Sequence, residues 1–571
     1  MKGRREKVDV VVVGLGAAGA VLAKELAQAG FKVVGLEKGP YRKLDDFLTD
    51  HDELRYATRR GMQINLRDEP MTWRPNTSTP ARILPWHLST YTLPPSNGVG
   101  GGSVHYGAVS WRFLESDFRM RSTVVERYGE GRIPPATDIV DWPLTYTDLE
   151  PYYERVEYEI GISGKAGNIK GELQKGGNPF EAPRQRDYPT PPLRPPAASP
   201  FFIEACKRLG YHPFLVPQAI ISQDYGGRSS CTYCGFCTDY GCHIGAKSST
   251  LYTMIPRAEA SGNFTVRPET RVFRINRDRE GRATGVSYFA LSGEIEEQPA
   301  SLVIVAAYCF ENARLLLLSG LNKNGMVGKY YMTHNYPVVN GVFDDKFTNP
   351  FAGPITGPSI MDWNSDNFDH AKLDFLWGAD IQLLGGDVQP IEGVQVIPPD
   401  VPRWGSQYKE WIRKYYRRGF FLAAECTPLP YTANFLDLDP HTKDRWGIPV
   451  IRLTHDWYDN DKQMAQFMAG KIEEIAREMG TSKTWQVQLM AESHINIHDV
   501  GGTRMGKDPK TSVVNQYCQS HEVPNLFVMG GSVFPTYCGL EPTETIQALA
   551  FLAADYIKRE ARQGGSLAHY L

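Results

Sequence analysis

The chain has 571 residues, of which 42% are hydrophobic and 22% are charged, and this is the composition of a folded globular protein. The length is too great for one ordinary core, so we expect two large domains. The formal net charge is only −3 and no basic block occurs. This charge pattern argues against nucleic acid or a membrane surface as the main partner and favours a small-molecule substrate.

The sequence indicates neither an export signal nor a membrane-spanning segment. It has no run of the roughly 18 uncharged apolar residues that a transmembrane helix requires. Basic residues before residues 10–23 resemble the start of an export signal, but Asp9 interrupts it, and cleavage there would remove a glycine motif. We therefore expect no signal of the chain's own. The odd count of nine cysteines suits a reducing compartment such as the cytoplasm.

The first predicted element is a β-α-β unit. Residues 8–13 form an apolar β-branched run that predicts a buried strand, residues 20–29 predict a helix, and residues 32–36 predict a second strand. A G-x-G-x-x-G motif occupies residues 14–19, between the first strand and the helix. An acidic residue, Glu37, ends the second strand.

This context predicts a dinucleotide site rather than a plain glycine turn. Gly14 permits a tight turn, Gly16 lets the backbone approach a pyrophosphate, and Gly19 lets the helix pack on the strand. The helix N-terminus supplies positive potential. Glu37 is expected to accept hydrogen bonds from the adenosine ribose hydroxyls. The spacing alone does not separate NAD from FAD.

Two unusual segments follow. Residues 178–200 contain eight prolines, which predicts an extended arm across the surface. An insert of about residues 225–250 contains four closely spaced cysteines: Cys231, Cys234, Cys237 and Cys242. Thiolates at this spacing can turn onto one centre, so the insert predicts a metal site. Iron–sulfur ligation, structural zinc with four thiolates, and disulfides or unliganded thiols are the competing interpretations.

Later elements complete this domain and separate it from a second one. Residues 301–307 predict another buried strand and residues 311–319 another helix, so distant pieces of the chain belong to one layered α/β domain. From about 336 to 490 the glycine motifs disappear and tryptophans become frequent. We therefore assign residues 1–335 and 491–571 to a nucleotide-binding domain, and residues 336–490 to a substrate domain.

The sequence resembles the glucose-methanol-choline (GMC) oxidoreductase family over nearly its whole length. The resemblance rests on residues 99–103 (VGGGS), 327–330 (VGKY) and 498–553. Residues 141–143 (DWP) and 148–153 (DLEPYY), with the cysteines, are similar to the flavoprotein subunits of bacterial gluconate, fructose and glucose dehydrogenases. The resemblance implies a Rossmann-type FAD-binding domain with a discontinuous chain path. It also implies an α+β substrate domain built on an antiparallel sheet, with FAD as the cofactor.

The resemblance assigns three further segments to FAD. One lies against the flavin and its phosphates, one closes over the pyrophosphate, and one turns its backbone to the adenine. In that order they are Gly100, Gly101, Gly102 and Ser103; Gly530 and Gly531; and Val272. A glycine turn without a ligand is the alternative for the two glycine segments.

His105 lies where related pyranose oxidases have a histidine joined covalently to the flavin. A neutral imidazole nitrogen is nucleophilic and suits such an attachment through the 8-methyl group of the flavin. The alternative is a histidine that only forms hydrogen bonds near the ring.

His498, in the segment HDVGGTRMG, matches the catalytic histidine of the family. Oxidising an alcohol requires removal of the hydroxyl proton as hydride leaves the same carbon, and a histidine suits that proton transfer. His494 is the alternative if the register shifts. Glu541 stands where the family has asparagine or histidine, and an ionised carboxylate there would raise the pKa of His498. Glu541 then acts as the base, donates a hydrogen bond as a protonated acid, or is an ordinary acid at a helix start.

The resemblance implies an FAD-dependent dehydrogenase of sugars, glycosides or sugar acids. Electrons would leave through an iron–sulfur cluster of three or four irons to a cytochrome or quinone. A small companion subunit is also implied, and with it a periplasmic or membrane-associated location. Two hypotheses compete with this one: an oxygen-using pyranose or glycoside oxidase with structural zinc, and a flavin-containing lyase without redox turnover. The cysteines argue against the lyase, which exports no electrons.

Overall fold

The computed structural model describes residues 3–51, 62–84, 95–348, 351–385, 393, 397–487 and 498–571. In chain order the strands are β1 (Val8–Val13), β2 (Val33–Leu36), β3 (Thr72–Arg74), β4 (Arg82–Ile83), β5 (Asn168–Ile169), β6 (Glu172–Leu173), β7 (Phe214–Leu215), β8 (Phe264–Arg267), β9 (Arg271–Arg277), β10 (Ala283–Phe289), β11 (Ile295–Val305), β12 (Val338–Val342), β13 (Thr356–Ile360), β14 (Ala379–Leu384), β15 (Gly419–Cys426), β16 (Phe435–Lys443), β17 (Pro449–Thr454), β18 (Lys483–Val487) and β19 (Leu526–Val528). The α-helices are α1 (Ala17–Gln28), α2 (Met120–Tyr128), α3 (Tyr146–Ile160), α4 (Ser199–Arg208), α5 (Thr250–Thr253), α6 (Ile255–Glu259), α7 (Tyr308–Leu318), α8 (Gly405–Tyr415), α9 (Asp459–Glu478) and α10 (Thr543–Glu560). Within the described ranges, the helices are too short or too polar to cross a membrane.

A seven-stranded sheet contains the predicted nucleotide-binding unit. Its order is β8-β2-β1-β11-β10-β9. Strand β19 pairs with residues 303–305 of β11, which also pair with β1. Strands β8, β2, β1, β11 and β19 are parallel, while β10 and β9 extend the sheet in antiparallel fashion. Residues 10–13 of β1 are fully or almost fully buried, as expected of a parallel strand covered on both faces. The predicted Rossmann-type fold is confirmed.

The carboxyl ends of the parallel strands meet at one edge of this sheet. Gly14 follows β1, Glu37 follows β2 and Gly530 comes two residues after β19. The turn after β1 is tied to its neighbour because the Gly14 N–H donates to the Leu36 carbonyl at 2.8 Å. In open α/β sheets this edge is where ligands bind.

A six-stranded sheet forms the second layer, in the order β18-β12-β15-β14-β13-β7. All its pairings are antiparallel, which confirms the type of sheet expected for the substrate side. Helix α9 covers it with buried apolar residues that include Met464, Met468 and Ile472. Strand β7 joins this sheet from the N-terminal half, and a smaller sheet pairs β17 with β3. Strand pairing therefore connects segments on both sides of the predicted domain boundaries, which stay a prediction.

The proline-rich arm is anchored by buried charges. Arg184 lies in the arm and is fully buried, and its guanidinium forms ion pairs with Glu157 and Glu181. Arg112 donates to the same Glu157 carboxylate at 2.7 and 3.0 Å. Breaking a buried ion pair by removing one partner is costly because the other charge is left uncompensated. The arm is therefore fixed against α3 rather than loosely laid on the surface.

Two helical glycines provide a matched test of the nucleotide-binding turn. A Cβ atom added at Gly19 in α1 would lie 2.0 Å from the Gly14 carbonyl oxygen, whereas one added at Gly470 in α9 meets nothing within 4 Å. We expect Gly19→Ala to lower the free energy of unfolding by about 1–3 kcal/mol and to reduce bound nucleotide. Gly470→Ala should instead raise it by about 0.5–1 kcal/mol. Chemical denaturation of both variants measures the difference, and equal effects would contradict the packing argument.

Candidate active site

Two glycine loops form a cradle at the edge of the parallel sheet. Gly16 is the N-cap of α1 and has no side chain to cover the first amides of the helix. A Cβ added at Gly101 would lie 2.9 Å from Gly16 Cα, so the two loops approach each other backbone to backbone. Gly100, Gly101 and Gly530 have φ values of 95°, 54° and 104°, which favour glycine. Open amides at a helix N-terminus fit the pyrophosphate of a dinucleotide.

The structure brings Glu37 and the segment before Val272 together. The Glu37 carboxylate accepts the N–H groups of Leu15 and Gly39, each at 3.0 Å, and its burial raises the pKa of that carboxyl. The Glu37 carbonyl accepts the Thr270 N–H at 2.9 Å, two residues before Val272 in β9. Each carboxylate oxygen retains a second lone pair for a ribose hydroxyl. The ribose and adenine roles of Glu37 and Val272 stay predictions.

The segment that contains His105 is held by short-range hydrogen bonds. Ser103 Oγ donates to the Gly100 carbonyl at 2.7 Å, so this hydroxyl closes the turn. A Cβ on Gly102 would lie 3.3 Å from Ser96 Oγ. The same Ser96 hydroxyl lies 2.9 Å from Nε2 of the buried His105 imidazole. The hydroxyl of Ser96 therefore fixes the ring that the resemblance assigns to flavin attachment.

Gly531 joins the cofactor cradle to the catalytic motif. Its carbonyl accepts the Gly501 N–H at 3.0 Å, and a Cβ added to it would lie 2.9 Å from Val500 Cγ1. His498 lies two residues before Val500. The predicted cofactor segment and the predicted base are therefore parts of one compact unit.

His498 lies in a cluster of polar groups that comes from three parts of the chain. Its Nδ1 lies 2.6 Å from the Tyr336 hydroxyl, 3.2 Å from His334 Nδ1 and 3.6 Å from Glu425 Oε2. His334 Nε2 lies 2.8 Å from the Cys538 carbonyl. Because a carbonyl only accepts, His334 Nε2 carries the proton and its Nδ1 carries a lone pair. Burial lowers the pKa of His334 to about 3, which keeps that ring neutral.

This arrangement defines the chemistry of His498. Its Nδ1–H can donate to the lone pair of His334 or to the Tyr336 hydroxyl, which leaves Nε2 with the lone pair that a general base needs. Burial, and secondarily His334, lower the pKa of His498 well below its usual value. This shift is opposite to the rise that an ionised Glu541 would cause. His494, the alternative base, lies outside the described residues.

Glu541 is buried at the segment before α10, and so differs from an ordinary surface acid at a helix start. Its carboxylate accepts the Trp111 indole N–H and the Gln382 side-chain amide, the latter at 3.2 Å. Burial, and then the neighbouring Glu425, raise the pKa of Glu541 well above its usual value. Of the roles considered for Glu541, these surroundings favour a protonated acid over a base.

Sequence reasoning missed two acids beside this site, Glu425 and Asp380. They are cross-strand partners on β15 and β14, and both are buried. Burial and the proximity of the neighbouring carboxyls raise the pKa of each well above its usual value. Among the described residues, Glu425 Oε2 and Asp380 Oδ1 have no hydrogen-bond partner. The sequence signal that could have revealed these acids is a single acidic residue inside each of two apolar strands, β14 and β15.

The cysteine loop contacts the segment that contains His105. The Asp239 N–H donates to the His105 carbonyl at 2.6 Å. The buried ammonium of Lys247 donates to the Tyr106 carbonyl at 3.0 Å and to the Tyr240 carbonyl at 2.9 Å, and also bonds the Cys237 carbonyl. The loop is therefore fastened directly to the predicted flavin-attachment segment.

The four cysteines differ in exposure: Cys237 is buried, Cys231 and Cys242 are half-buried, and Cys234 is exposed. Burial raises the pKa of the Cys231 thiol to about 11, and the nearby thiols of Cys234 and Cys242 contribute to the rise. In a zinc site with four thiolates, bonds of about 2.3 Å place the sulfurs about 3.8 Å apart. Near this loop, the metal-ligand atoms that lie within 4.8 Å of one another belong instead to His51, Cys234 and His243, and a second group of this kind among the described residues is His334, Glu425 and His498.

Comparison with known proteins identifies the family. Residues 8–336 and 430–550 match the N-terminal and C-terminal models of the GMC oxidoreductases. The chain belongs to the GMC oxidoreductase family. It is therefore an FAD-binding oxidoreductase that acts on CH–OH donors of the alcohol or sugar type, and its resemblance to the gluconate and fructose dehydrogenase flavoproteins is confirmed.

Several relatives align with this GMC chain over most of their length. The gluconate 2-dehydrogenase flavoprotein of Pantoea cypripedii is 36% identical over 97% of this chain and 94% of its own. The fructose dehydrogenase large subunit of Gluconobacter japonicus is 28% identical over 97% and 98%, and the paromamine 6'-oxidase of Streptomyces fradiae is 29% identical over 96% and 90%. The crystal structure of pyridoxine 4-oxidase from Mesorbium loti shares the fold, with a TM-score of 0.61, 15% identity, and coverage of 96% of this chain and 98% of that one.

The base role of His498 predicts a large loss of turnover on its removal. We expect His498→Ala to lower kcat by about 100-fold to 10,000-fold with flavin still bound, because proton removal then lacks its acceptor. His212→Ala is the control, because His212 is exposed and pairs with Asp362. Anaerobic turnover with a dye acceptor measures kcat for both variants.

For the wild type, the acid limb of the pH profile of kcat/KM should lie below pH 6.5, since the pKa of His498 is lowered from that value. An acid limb above pH 6.5 would contradict this role.

Glu541→Gln tests whether the carboxyl is protonated. The folded chain holds the Glu541 proton above the ordinary pKa of 4.5, whereas the unfolded chain releases it, so the contribution of Glu541 to stability falls as pH rises above 4.5. Gln removes this penalty, and the melting temperature of the variant relative to wild type should rise from pH 4.5 to 8. Glu560→Gln should show the opposite trend, because Ser566 lowers the pKa of Glu560. Parallel melting curves for Glu541→Gln and wild type would count against a protonated Glu541.

Proposed function

We propose that the chain is the flavoprotein of a dehydrogenase that oxidises a CH–OH group of a sugar, glycoside or sugar acid. Its electrons would leave through an iron–sulfur cluster on the cysteine loop to an external acceptor. The observation that carries this proposal is the 2.6 Å hydrogen bond from the Asp239 N–H to the His105 carbonyl, because it joins the cysteine loop to the segment that we predict to bind flavin.

The residues around His498 support proton removal from an alcohol. When bound, FAD supplies the two-electron acceptor for the hydride that leaves the carbon. His498 Nε2 takes the hydroxyl proton, while Tyr336 and His334 hold the ring from its Nδ1 side. A neutral His498 is ready to accept this proton at physiological pH, because burial lowers its pKa.

The acids beside the base support a hydroxyl-rich substrate. A protonated carboxyl both donates and accepts hydrogen bonds, as a sugar hydroxyl does. Asp380 Oδ1 is a polar atom without a hydrogen-bond partner in the described part of the chain, and Glu425 Oε2 lies 3.3 Å from His334 Nδ1 and 3.6 Å from His498 Nδ1. Relatives named for gluconate, fructose and paromamine agree with this substrate class.

The cysteine loop supports an electron relay. Soft thiolates at short spacing are the usual ligands of iron–sulfur clusters. One relative is named a large subunit, so we propose a small companion subunit, with a cytochrome or quinone as the acceptor. Export with that subunit would give a periplasmic or membrane-associated location. We also propose His105 as the residue that attaches the flavin.

The decisive test is an anaerobic absorption spectrum of the purified protein, with iron analysis, before and after addition of aldoses, glycosides and aldonates. We expect flavin that stays with acid-precipitated protein, iron in a ratio of about three or four per chain, and bleaching by one sugar-type substrate. Cys231→Ser should lose iron and electron transfer to a quinone or cytochrome, but keep flavin bleaching.

Cys206→Ala is the matched control, because Cys206 is buried in α4, outside the loop. It should keep iron, bleaching and electron transfer. Fast reoxidation by oxygen in protein without iron would reject the relay and favour an oxidase. Flavin that no substrate bleaches would reject both the dehydrogenase and the oxidase.

A further inference from the structure

Three side chains of metal-binding type meet beside the cysteine loop. Ligand atoms of His51, Cys234 and His243 all lie within 4.8 Å of one another. His51 follows the 3₁₀ helix at residues 44–50, far from the other two in sequence. The fold therefore assembles this group, and it differs from the four-cysteine set that the sequence indicates.

The hydrogen bonding of His51 leaves one ring nitrogen ready to bind a cation. Its Nε2 lies 3.1 Å from the Gly241 carbonyl oxygen. A carbonyl only accepts, so Nε2 carries the proton and Nδ1 carries the lone pair. Histidine ligands of metals typically donate their other ring N–H to a backbone carbonyl or carboxylate in this way.

His243 provides an independent observation. Its Nδ1 is buried and has no hydrogen-bond partner within the described ranges. A buried polar nitrogen without a partner is unfavourable, and a bound cation or a water would offset that cost. The His243 ring lies edge-on to His51, with centroids 4.6 Å apart and an angle of 87° between the rings.

Aromatic rings hold the His51 imidazole in place. Phe236 stacks on His51 at 4.7 Å with an angle of 8° between the rings. Tyr240 meets both Phe236 and His51 edge-on, at 5.2 and 6.2 Å. An apolar shell of this kind orients ligands and limits solvent around a metal site.

We propose that His51, Cys234 and His243 bind one divalent cation of the zinc type, with water as the fourth ligand. Two imidazoles and one thiolate are ordinary zinc ligands, with bonds of about 2.0–2.1 Å to nitrogen and about 2.3 Å to sulfur. Tetrahedral geometry then puts the ligand atoms about 3.3–3.6 Å apart, so distances that are at most 4.8 Å would shorten by up to about 1.5 Å on binding. Cys234 is exposed, which gives water access to the fourth position.

The site is separate from the proposed electron relay. Cys231, Cys237 and Cys242 are left as thiolates for a cluster, and zinc itself carries no electrons. The cation would tie residues 44–51 to the loop that bonds the His105 carbonyl. Its role is therefore to hold the loop against the flavin segment.

The experiment uses the full-length flavin-loaded protein, supplied with zinc and then freed of excess metal. We expect one zinc per chain, and zinc-edge X-ray absorption with about one sulfur at 2.3 Å and two imidazole nitrogens near 2.0–2.1 Å. Because this spectrum is specific for zinc, iron in the loop does not interfere. Zinc should also raise the melting temperature of the wild type, since a ligand that binds only the folded state stabilises it.

His51→Ala and His243→Ala should each weaken zinc binding by more than the roughly 10–100-fold that loss of an outer-shell partner costs. His212→Ala is the matched control and should bind zinc like the wild type. Wild type without zinc, zinc with four sulfur ligands, or full zinc binding in a His51→Ala/His243→Ala double variant would each overturn the proposal. Loss of iron instead of zinc in the histidine variants would also overturn it, because the histidines would then be cluster ligands. Iron content and substrate bleaching of the same samples report separately on the proposed function.

Discussion

The buried ammonium group of Lys247 joins the two parts of the proposed electron path. A lysine has three N–H donors, and here they meet three backbone carbonyls, those of Tyr106, Cys237 and Tyr240. A buried charge is tolerated only when it is well hydrogen-bonded. The ammonium therefore constrains the cysteine loop and the His105 segment to one relative position, and the relay that we propose depends on that constraint.

The active site lies where the two large sheets approach each other. The parallel sheet presents the glycine turns and Glu37 at its carboxyl edge, and the C-terminal segment adds Gly531 and the motif of His498. The antiparallel sheet contributes Glu425, which lies 3.6 Å from His498 Nδ1. Neither sheet alone contains both a cofactor cradle and the polar surroundings of the base, so the chemistry requires both layers.

Much of the cofactor side was predictable because its signals are local. The strand at residues 8–13, the glycine turn and Glu37 occur within thirty residues of sequence, and the observed elements match them. Helix α1 begins three residues earlier than expected because Gly16 already caps it. Tyr336 and His334 were missed, because a lone tyrosine or histidine in a loop has no spacing pattern to mark it. Their function arises only when residue 498 is brought against them.

The sequence by itself determined the family, the class of fold and the FAD cofactor, since each motif that indicates them consists of residues close together in the chain, and it predicts His498 as the base. Only the tertiary structure decided the protonation of the site. Burial and the neighbouring carboxyls raise the pKa values of Glu541, Glu425 and Asp380, while burial lowers that of His498. Tertiary contact also brought His51 and His243 to Cys234. Desolvation and proximity depend on packing between distant segments, which no local pattern of residues specifies.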